Sequence, residues 1–313
     1  MAKMKVTVVG HNALSTLLAS NLARAKNDVW VLDANPQIIK KIDRDSVKVE
    51  GQSGSYKTRL KATTDPKEIG LTETVFICSR SYETESTLQK IKDIIAKNTC
   101  IVSLQNGLGN LQLINEYIDS NNVIGAITSH DASLLDDNYV RHNEKGETIL
   151  GQENSRVLGI IRDISTLLTK ASFPTKISKD INSAMWSKLI IDVALNALGA
   201  ITRLKNGSLL KTEPTREMLR RAVTEASKIA KRKKIKLAYD DPIQKVETVC
   251  RTRPDAISPM LEDVLSKRMT EIDFINGAIV RHGKSLNIKT PTNEMLTELV
   301  KAIESNYDSL VNR

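Results

Sequence analysis

The chain has 313 residues, of which 40% are hydrophobic, 27% charged and 4% aromatic, with a net charge of +9 and three cysteines. That length suggests two ordinary domains of a water-soluble protein, with no stretch approaching the ~20 apolar residues of a bilayer span and no signal-peptide pattern. Cys78, Cys100 and Cys250 are too few and too scattered for a disulfide scaffold or a zinc site, and the scarcity of aromatics speaks against a nucleic-acid surface, so a cytoplasmic protein without metal, membrane or nucleic-acid partners is expected.

The first third alternates short β-branched runs with amphipathic stretches. Lys5–Val9 reads as a buried strand and Ala13–Lys26 as the helix after it. Asp28–Asp33 is a second strand, and Asn35–Asp43 a second helix with Pro36 at its first position. Val47–Thr64 looks like a polar-alternating hairpin around Gly51 and Gly54. Further buried strands are expected at Thr74–Ser79 and Thr99–Leu104, separated by a helix over Tyr82–Lys97. A strand at Val123–Thr128 and a hairpin over Tyr139–Leu150 then add to the sheet. This alternation predicts an α/β fold, a Rossmann-type doubly wound sheet, followed by an all-α C-terminal domain.

From Asn154 onward strand signals nearly vanish. Helices are expected at Ser155–Ala171, Ile181–Ala200, Thr215–Lys231, Pro242–Cys250, Met260–Leu286 and Pro291–Leu310, the last capped by Thr290. The basic run Lys228–Lys236 reads as a solvated helix end. The boundary is set at Pro174, giving a dinucleotide-binding domain over 1–173 and a helical substrate domain over 174–313.

Four features carry chemistry. Gly10-His11-Asn12-Ala13-Leu14-Ser15 follows the first strand where a glycine-rich turn would place a pyrophosphate on a helix N-terminus. Only the first glycine is present; Asn12 tolerates a left-handed backbone and Ser15 permits close helix–strand packing. Asp33, at the end of the second strand, is positioned to grip an adenosine ribose, and the alternative is a helix N-terminal acid. The run Ser103 to Asn110, with Asn106, Gly107 and Gly109, lies at another strand end, where open α/β sheets bind ligands.

The third feature is Ala184–Ile201, apolar nearly all round yet carrying Lys188, Asp192 and Asn196 on one helical stripe. A polar row on a buried helix faces a cleft or a partner unless its members pair among themselves, as a structural Lys188–Asp192 ion pair would. A half-buried lysine suits proton donation, because burial moves a lysine pKa down. The fourth is Glu271, within an expected helical region after Ser258-Pro259-Met260.

Together these motifs resemble the ketopantoate reductase family almost end to end. They appear as Leu104–Asn110, Gly146-Glu147 through Gly151, Trp186–Leu189 with Asp192 and Asn196, and Ser258 through Gly277. The resemblance implies NAD(P)H-dependent reduction of a 2-oxo acid, ketopantoate, on the route to pantothenate and coenzyme A. It implies Lys188 as proton donor and Glu271 as the second catalytic group, binding a substrate hydroxyl. Asn106, Asp192, Asn196 and Ser258 would contact the substrate. The residues from Gly10 to Ser15, with Asp33, Arg80, Asn106 and Glu271, would hold the cofactor.

The chain departs from the family pattern at the eroded glycine turn, at Asp192 (usually Asn), at Arg80 (usually Lys) and at Pro259 (usually Ser). Asp33, followed by the uncharged Ala34 and Asn35, favours NADH over NADPH, while Arg80 pulls the other way. Two readings stay open beside this one: a reductase of another 2-oxo acid on the same fold, and a non-catalytic nucleotide- or coenzyme-A-binding sensor. The expected partner is the small 2-oxo acid, with a homodimer left open.

Overall fold

The computed structural model describes residues 3–154 and 159–310. It divides into two compact units, Met1–Gln105 with Asn110–Ile181, and Asn106–Gly109 with Asn182–Arg313. The division falls after Ile181 rather than Phe173, because residues 175–177 still form a strand of the first unit's sheet.

The first unit opens with β1 (Lys5–Val9), α1 (Ala13–Arg24), β2 (Asp28–Leu32) and α2 (Pro36–Arg44). Then come β3 (Val47–Gly51), β4 (Tyr56–Thr58), β5 (Lys61–Thr63), β6 (Thr72–Ile77), α3 (Thr84–Ile91) and β7 (Ile95–Ser103). It continues with α4 (Asn110–Tyr117), β8 (Val123–Thr128), β9 (Asp131–Asp136), β10 (Tyr139–Glu144), β11 (Thr148–Gly151), α5 (Gly159–Lys170) and β12 (Thr175–Ile177). Eight strands form the main sheet in the order β12-β11-β8-β7-β6-β1-β2-β5, parallel from β8 to β5. Val6, Val8, Phe76, Ile101 and Val102 are fully buried within it, as β-branched and aromatic strands covered on both faces must be. The strand order reverses direction at β1, so the crevice between the carboxyl ends of β1 and β6 is the topological switch point.

Three expectations are corrected here. β3 and β4 do pair antiparallel, but they leave the main sheet for a second one of order β4-β3-β10-β9, while β5 pairs with β2. No hairpin spans Tyr139–Leu150: β10 pairs with β3 and β9, and β11 with β8 in the other sheet. Between them Gly146 lies so close to the Ser129–His130 backbone that a Cβ would sit 2.3 Å from it. Alternation marks a half-buried strand without naming its partner. The helix expected over Tyr82–Lys97 ends at Ile91, since β7 already begins at Ile95. The first four residues of the helix expected from Ser155 lie outside the described residues.

The second unit is built around α6 (Ile181–Thr202), with α7 (Glu213–Arg232), α8 (Pro242–Thr252), α9 (Pro259–Leu265), α10 (Asn276–Ser285) and α11 (Pro291–Glu304). α6 is long and apolar enough to cross a bilayer by length and composition, contrary to the expectation that no stretch approaches this, and 72% of its most apolar stretch is buried in the protein. Leu189, Ile190, Val193, Ala194 and Ala197 anchor this unit's core. The basic run after Lys228 is largely exposed where α7 ends.

The single helix expected over Met260–Leu286 is broken. α9 stops at Leu265, Lys267 takes a left-handed φ of +51°, and the Arg268 N–H closes back on the Asp263 carbonyl at 2.8 Å. A left-handed lysine carries no glycine or proline signal, so this stop was invisible in the sequence. At α11 the Thr290 side chain makes no capping bond. The Glu225 carboxylate instead accepts from the Thr292 and Asn293 N–H groups at 2.9 and 3.0 Å, a carboxylate at the positive end of a helix.

Candidate functional site

The expected site residues fall into two groups, one in each unit. In the first unit β1 ends at the turn Gly10–Asn12. Gly10 has φ +92°, and a Cβ there would lie 2.5 Å from the Ser79 nitrogen, so only glycine lets the β1 and β6 ends approach this closely. Asn12 is extended (φ −160°), not left-handed as its residue type suggested. It caps α1 instead: its side chain accepts from the Ser15 N–H, Ser15 Oγ accepts from the Asn12 N–H, and Asn12 Nδ2 donates to the Cys78 carbonyl. Ser15 is thus a capping partner as well as a small buried residue. The capping box leaves the N–H groups of Ala13 and Leu14, both partly exposed, at the positive end of α1.

Asp33 sits just past β2 with both carboxylate oxygens oriented by backbone. Oδ2 accepts from the His11 N–H at 2.8 Å and Oδ1 from the Asn35 N–H at 2.8 Å. His11 Nε2 meets the Asp137 carbonyl at 2.8 Å. Arg80 lies just past β6, and the Gln105 side-chain amide ties that turn down, its Nε2 donating to the Ser79 carbonyl and Thr84 Oγ1 at 3.1 and 2.8 Å. Two neighbours escaped the sequence reading. Gln105 was passed over beside Asn106, although a strand-end amide was a usable signal. Lys90 on α3 donates to the Asp33 carbonyl at 3.3 Å, and nothing in its helical context announces this.

The second group lies within the second unit. Gly107 has φ +79°, and a Cβ there would sit 2.4 Å from the Phe274 carbonyl, which accepts from the Leu108 N–H at 2.9 Å. That docking fixes Asn106. Lys188 Nζ donates to Asn106 Oδ1 at 2.9 Å and to Asp192 Oδ2 at 2.6 Å. Asn106 Nδ2 in turn donates to Glu271 Oε2 at 3.2 Å. Lys188, Asn106, Asp192 and Glu271 thus form one connected polar cluster, and the Lys188–Asp192 ion pair is present within it.

Glu271 lies in a non-helical bend ahead of a 3₁₀ turn, not in a helix, and is 5% exposed. The Asp192 carboxyl is raised above its usual range by burial, with the Lys188 ammonium opposing and Glu271 adding to the shift. Tyr239, also missed, donates to the Ser187 carbonyl at 2.6 Å, and its hydroxyl is pushed up by burial and by Asp192. Asn196, one turn beyond Asp192, is buried, yet its side-chain amide bonds no described residue. Ser258 caps α9 through the Leu261 N–H and donates to the Asn196 carbonyl at 3.3 Å; Pro259 takes the first helical position, which needs no N–H.

Residues 6–155 match the family model described as ketopantoate reductase PanE/ApbA, and residues 180–304 match the model of its C-terminal part. The chain is 31% identical over 302 residues to the 2-dehydropantoate 2-reductase of Pyrococcus horikoshii, covering 96% of this chain and 98% of that one. The chain belongs to the ketopantoate reductase PanE/ApbA family. Another relative, the 2-dehydropantoate 2-reductase of Aquifex aeolicus, is 30% identical over 309 residues, with 96% and 97% of the two chains covered. Among solved structures, the PanE/ApbA family ketopantoate reductase from Ralstonia eutropha JMP134 is 29% identical with a TM-score of 0.90, covering 97% of this chain and all of that one. These likenesses run through both units, so the eroded glycine turn stands within an otherwise whole family fold.

Proposed function

We propose that this protein is a 2-dehydropantoate 2-reductase, an oxidoreductase that converts the 2-oxo acid to pantoate with a nicotinamide cofactor. Family membership supports the reaction, and one observation supports the residues: a lysine ammonium on a buried helix, held between Asn106 Oδ1 and Asp192 Oδ2.

The first unit's residues fit a nicotinamide dinucleotide. Gly10 lets the β1–α1 turn approach a pyrophosphate, the N–H groups of Ala13 and Leu14 and the α1 dipole suit its charge, and Asp33 can accept from ribose hydroxyls. His11, Asn12 and Ser15 hold the turn, and Arg80 flanks it. When bound, the nicotinamide supplies the hydride at its C4. Lys188 gives a proton to the substrate's carbonyl oxygen as charge develops there. Asn106 and Asp192 fix the ammonium, so that no search is needed at the moment of transfer. Glu271 accepts from a substrate hydroxyl and positions Asn106, while Asn196 and Ser258 contact the substrate. We assign NADH as the preferred cofactor on the strength of Asp33. Three buried free thiols suit a reducing compartment, and we place the enzyme in the cytoplasm.

Steady-state rates with 2-dehydropantoate and a panel of other 2-oxo acids, each with NADH and NADPH, test this. The highest kcat/KM is expected for 2-dehydropantoate. A clear preference for another oxo acid would reassign the substrate, and cofactor binding without turnover of any would sink the enzyme reading.

A further inference from the structure

A cavity of ≈ 330 Å³ in the first unit is lined by Asn21, Arg24, Ala25, Ser53, Lys145, Lys170 and Ser172. Three cations converge on it and, among the described residues, no carboxylate lines it. Arg24 stands in the last turn of α1 and Lys170 in the last turn of α5, where basic residues complement helix dipoles. Two C-termini carry only about half a negative charge each, so about two positive charges remain. The dipoles also leave Lys145 unexplained, since it comes from the β10–β11 connection. None of the three pairs with a carboxylate among the described residues; Arg24 donates to the Ser53 carbonyl and lies against Tyr56. A second observation is independent of charge. Asn21 is 4% exposed, its Oδ1 accepts from the Tyr56 hydroxyl, and its Nδ2 has no acceptor, which is costly for a buried donor.

We infer that this cavity binds a small phosphate-bearing molecule, at the opposite end of α1 from the glycine turn. A dianionic phosphate matches a residual charge of about two, where a single carboxylate would leave half of it uncompensated. The volume exceeds that of a bare phosphate and sits at the lower end of small-molecule pockets. The twelve residues of α1 separate the cavity from Asn12 by roughly 18 Å, so occupants of the two sites do not collide. Ser53 supplies a local reporter, because its Oγ meets His142 Nδ1 at 2.6 Å, whereas His11 reports on the glycine turn.

The test is calorimetric titration of pyrophosphate into the enzyme saturated with NADH, with histidine proton resonances followed by NMR. One site is expected in the wild type, with the His142 resonance moving and His11 unaffected. The Lys145→Gln/Lys170→Gln variant, which changes two exposed side chains, should bind at least tenfold more weakly. Absence of binding at millimolar pyrophosphate, equal affinity in the variant, or movement of His11 alone would each overturn the assignment.

Discussion

Lys188 Nζ lies 2.6 Å from Asp192 Oδ2, one turn along α6, and the same ammonium reaches Asn106 Oδ1 at 2.9 Å. A positioned general acid contributes about 10²–10⁴ in rate. Lys188→Ala should therefore lower kcat/KM by ~10²–10⁴ while NADH affinity, measured by fluorescence titration, holds. Near wild-type turnover across neutral pH would remove Lys188 from the chemistry.

Asp192 makes the same pair informative from the other side. Its carboxylate accepts from the Lys188 ammonium at 2.6 Å and, on the same stripe of α6, would repel an incoming substrate carboxylate. Asp192→Asn should lower KM for the oxo acid, as steady-state kinetics would show. If KM stays put, Asp192 acts only in the packing of α6.

Glu271 touches the cluster through Asn106 Nδ2, which donates to its Oε2 at 3.2 Å. Glu271→Ala is expected to raise KM for the oxo acid by about tenfold, the worth of one hydrogen bond to a charged group. Calorimetry should find cofactor affinity unaltered, and a fall in that affinity would assign Glu271 to the cofactor instead.

How much of this was legible depended on which force wrote the signal. The stripe Lys188–Asp192–Asn196 could be read because polar groups on an apolar helix are costly unless used or paired: the ion pair forms, and the buried Asn196 side-chain amide bonds no described residue. Lys5–Val9 and Val123–Thr128 were read to the residue, since largely buried strands carry short β-branched, mostly apolar runs. The partner of β10 could not be read, because alternation says which face is buried and not what lies beside it. Lys267 ends α9 in a conformation that its residue type does not favour, and Glu225 caps a helix from 67 residues away. Asn12 misled for a related reason: the same residue type serves left-handed turns and helix caps, and only the neighbouring Ser15 and Cys78 decide between them.

A buried histidine pair gives a stability prediction. His130 Nδ1 and His142 Nε2 are 3.0 Å apart, and His130 packs on Phe173. Burial first, then His142 and Lys145, push His130 down to about 4. A depressed folded-state value means that the unfolded chain binds the proton first as pH falls. Stability is thus fully present above about 6.5 and is lost between there and about 4, by on the order of 2–3 kcal/mol. Denaturant melts at pH 7 and pH 4.5 should show this loss, with His130→Gln flattening the difference. An equal loss in that variant would place the acid sensitivity elsewhere.

Cofactor choice turns on the end of β2. Two backbone N–H groups hold the Asp33 carboxylate, from His11 and Asn35, so it cannot swing aside without losing both bonds. A 2′-phosphate brought within ~4 Å would meet repulsion of about 1–4 kcal/mol at dielectrics between water and a protein surface. Two cations oppose this. Arg80 flanks the turn after β6, and Lys90 Nζ sits 3.3 Å from the Asp33 backbone carbonyl, a positive charge that the uncharged Ala34 and Asn35 did not foretell. Lys90 is anchored to backbone and not to the Asp33 carboxylate, so it reduces the repulsion without cancelling it. The wild type should therefore favour NADH by about tenfold in kcat/KM, near the lower end of that range. Asp33→Asn should erase the preference and Lys90→Gln should widen it, with Kd values for both cofactors moving in step. A wild type that favours NADPH would mean that Arg80 and Lys90 together outweigh Asp33, and Lys90→Gln would then have to reverse the choice.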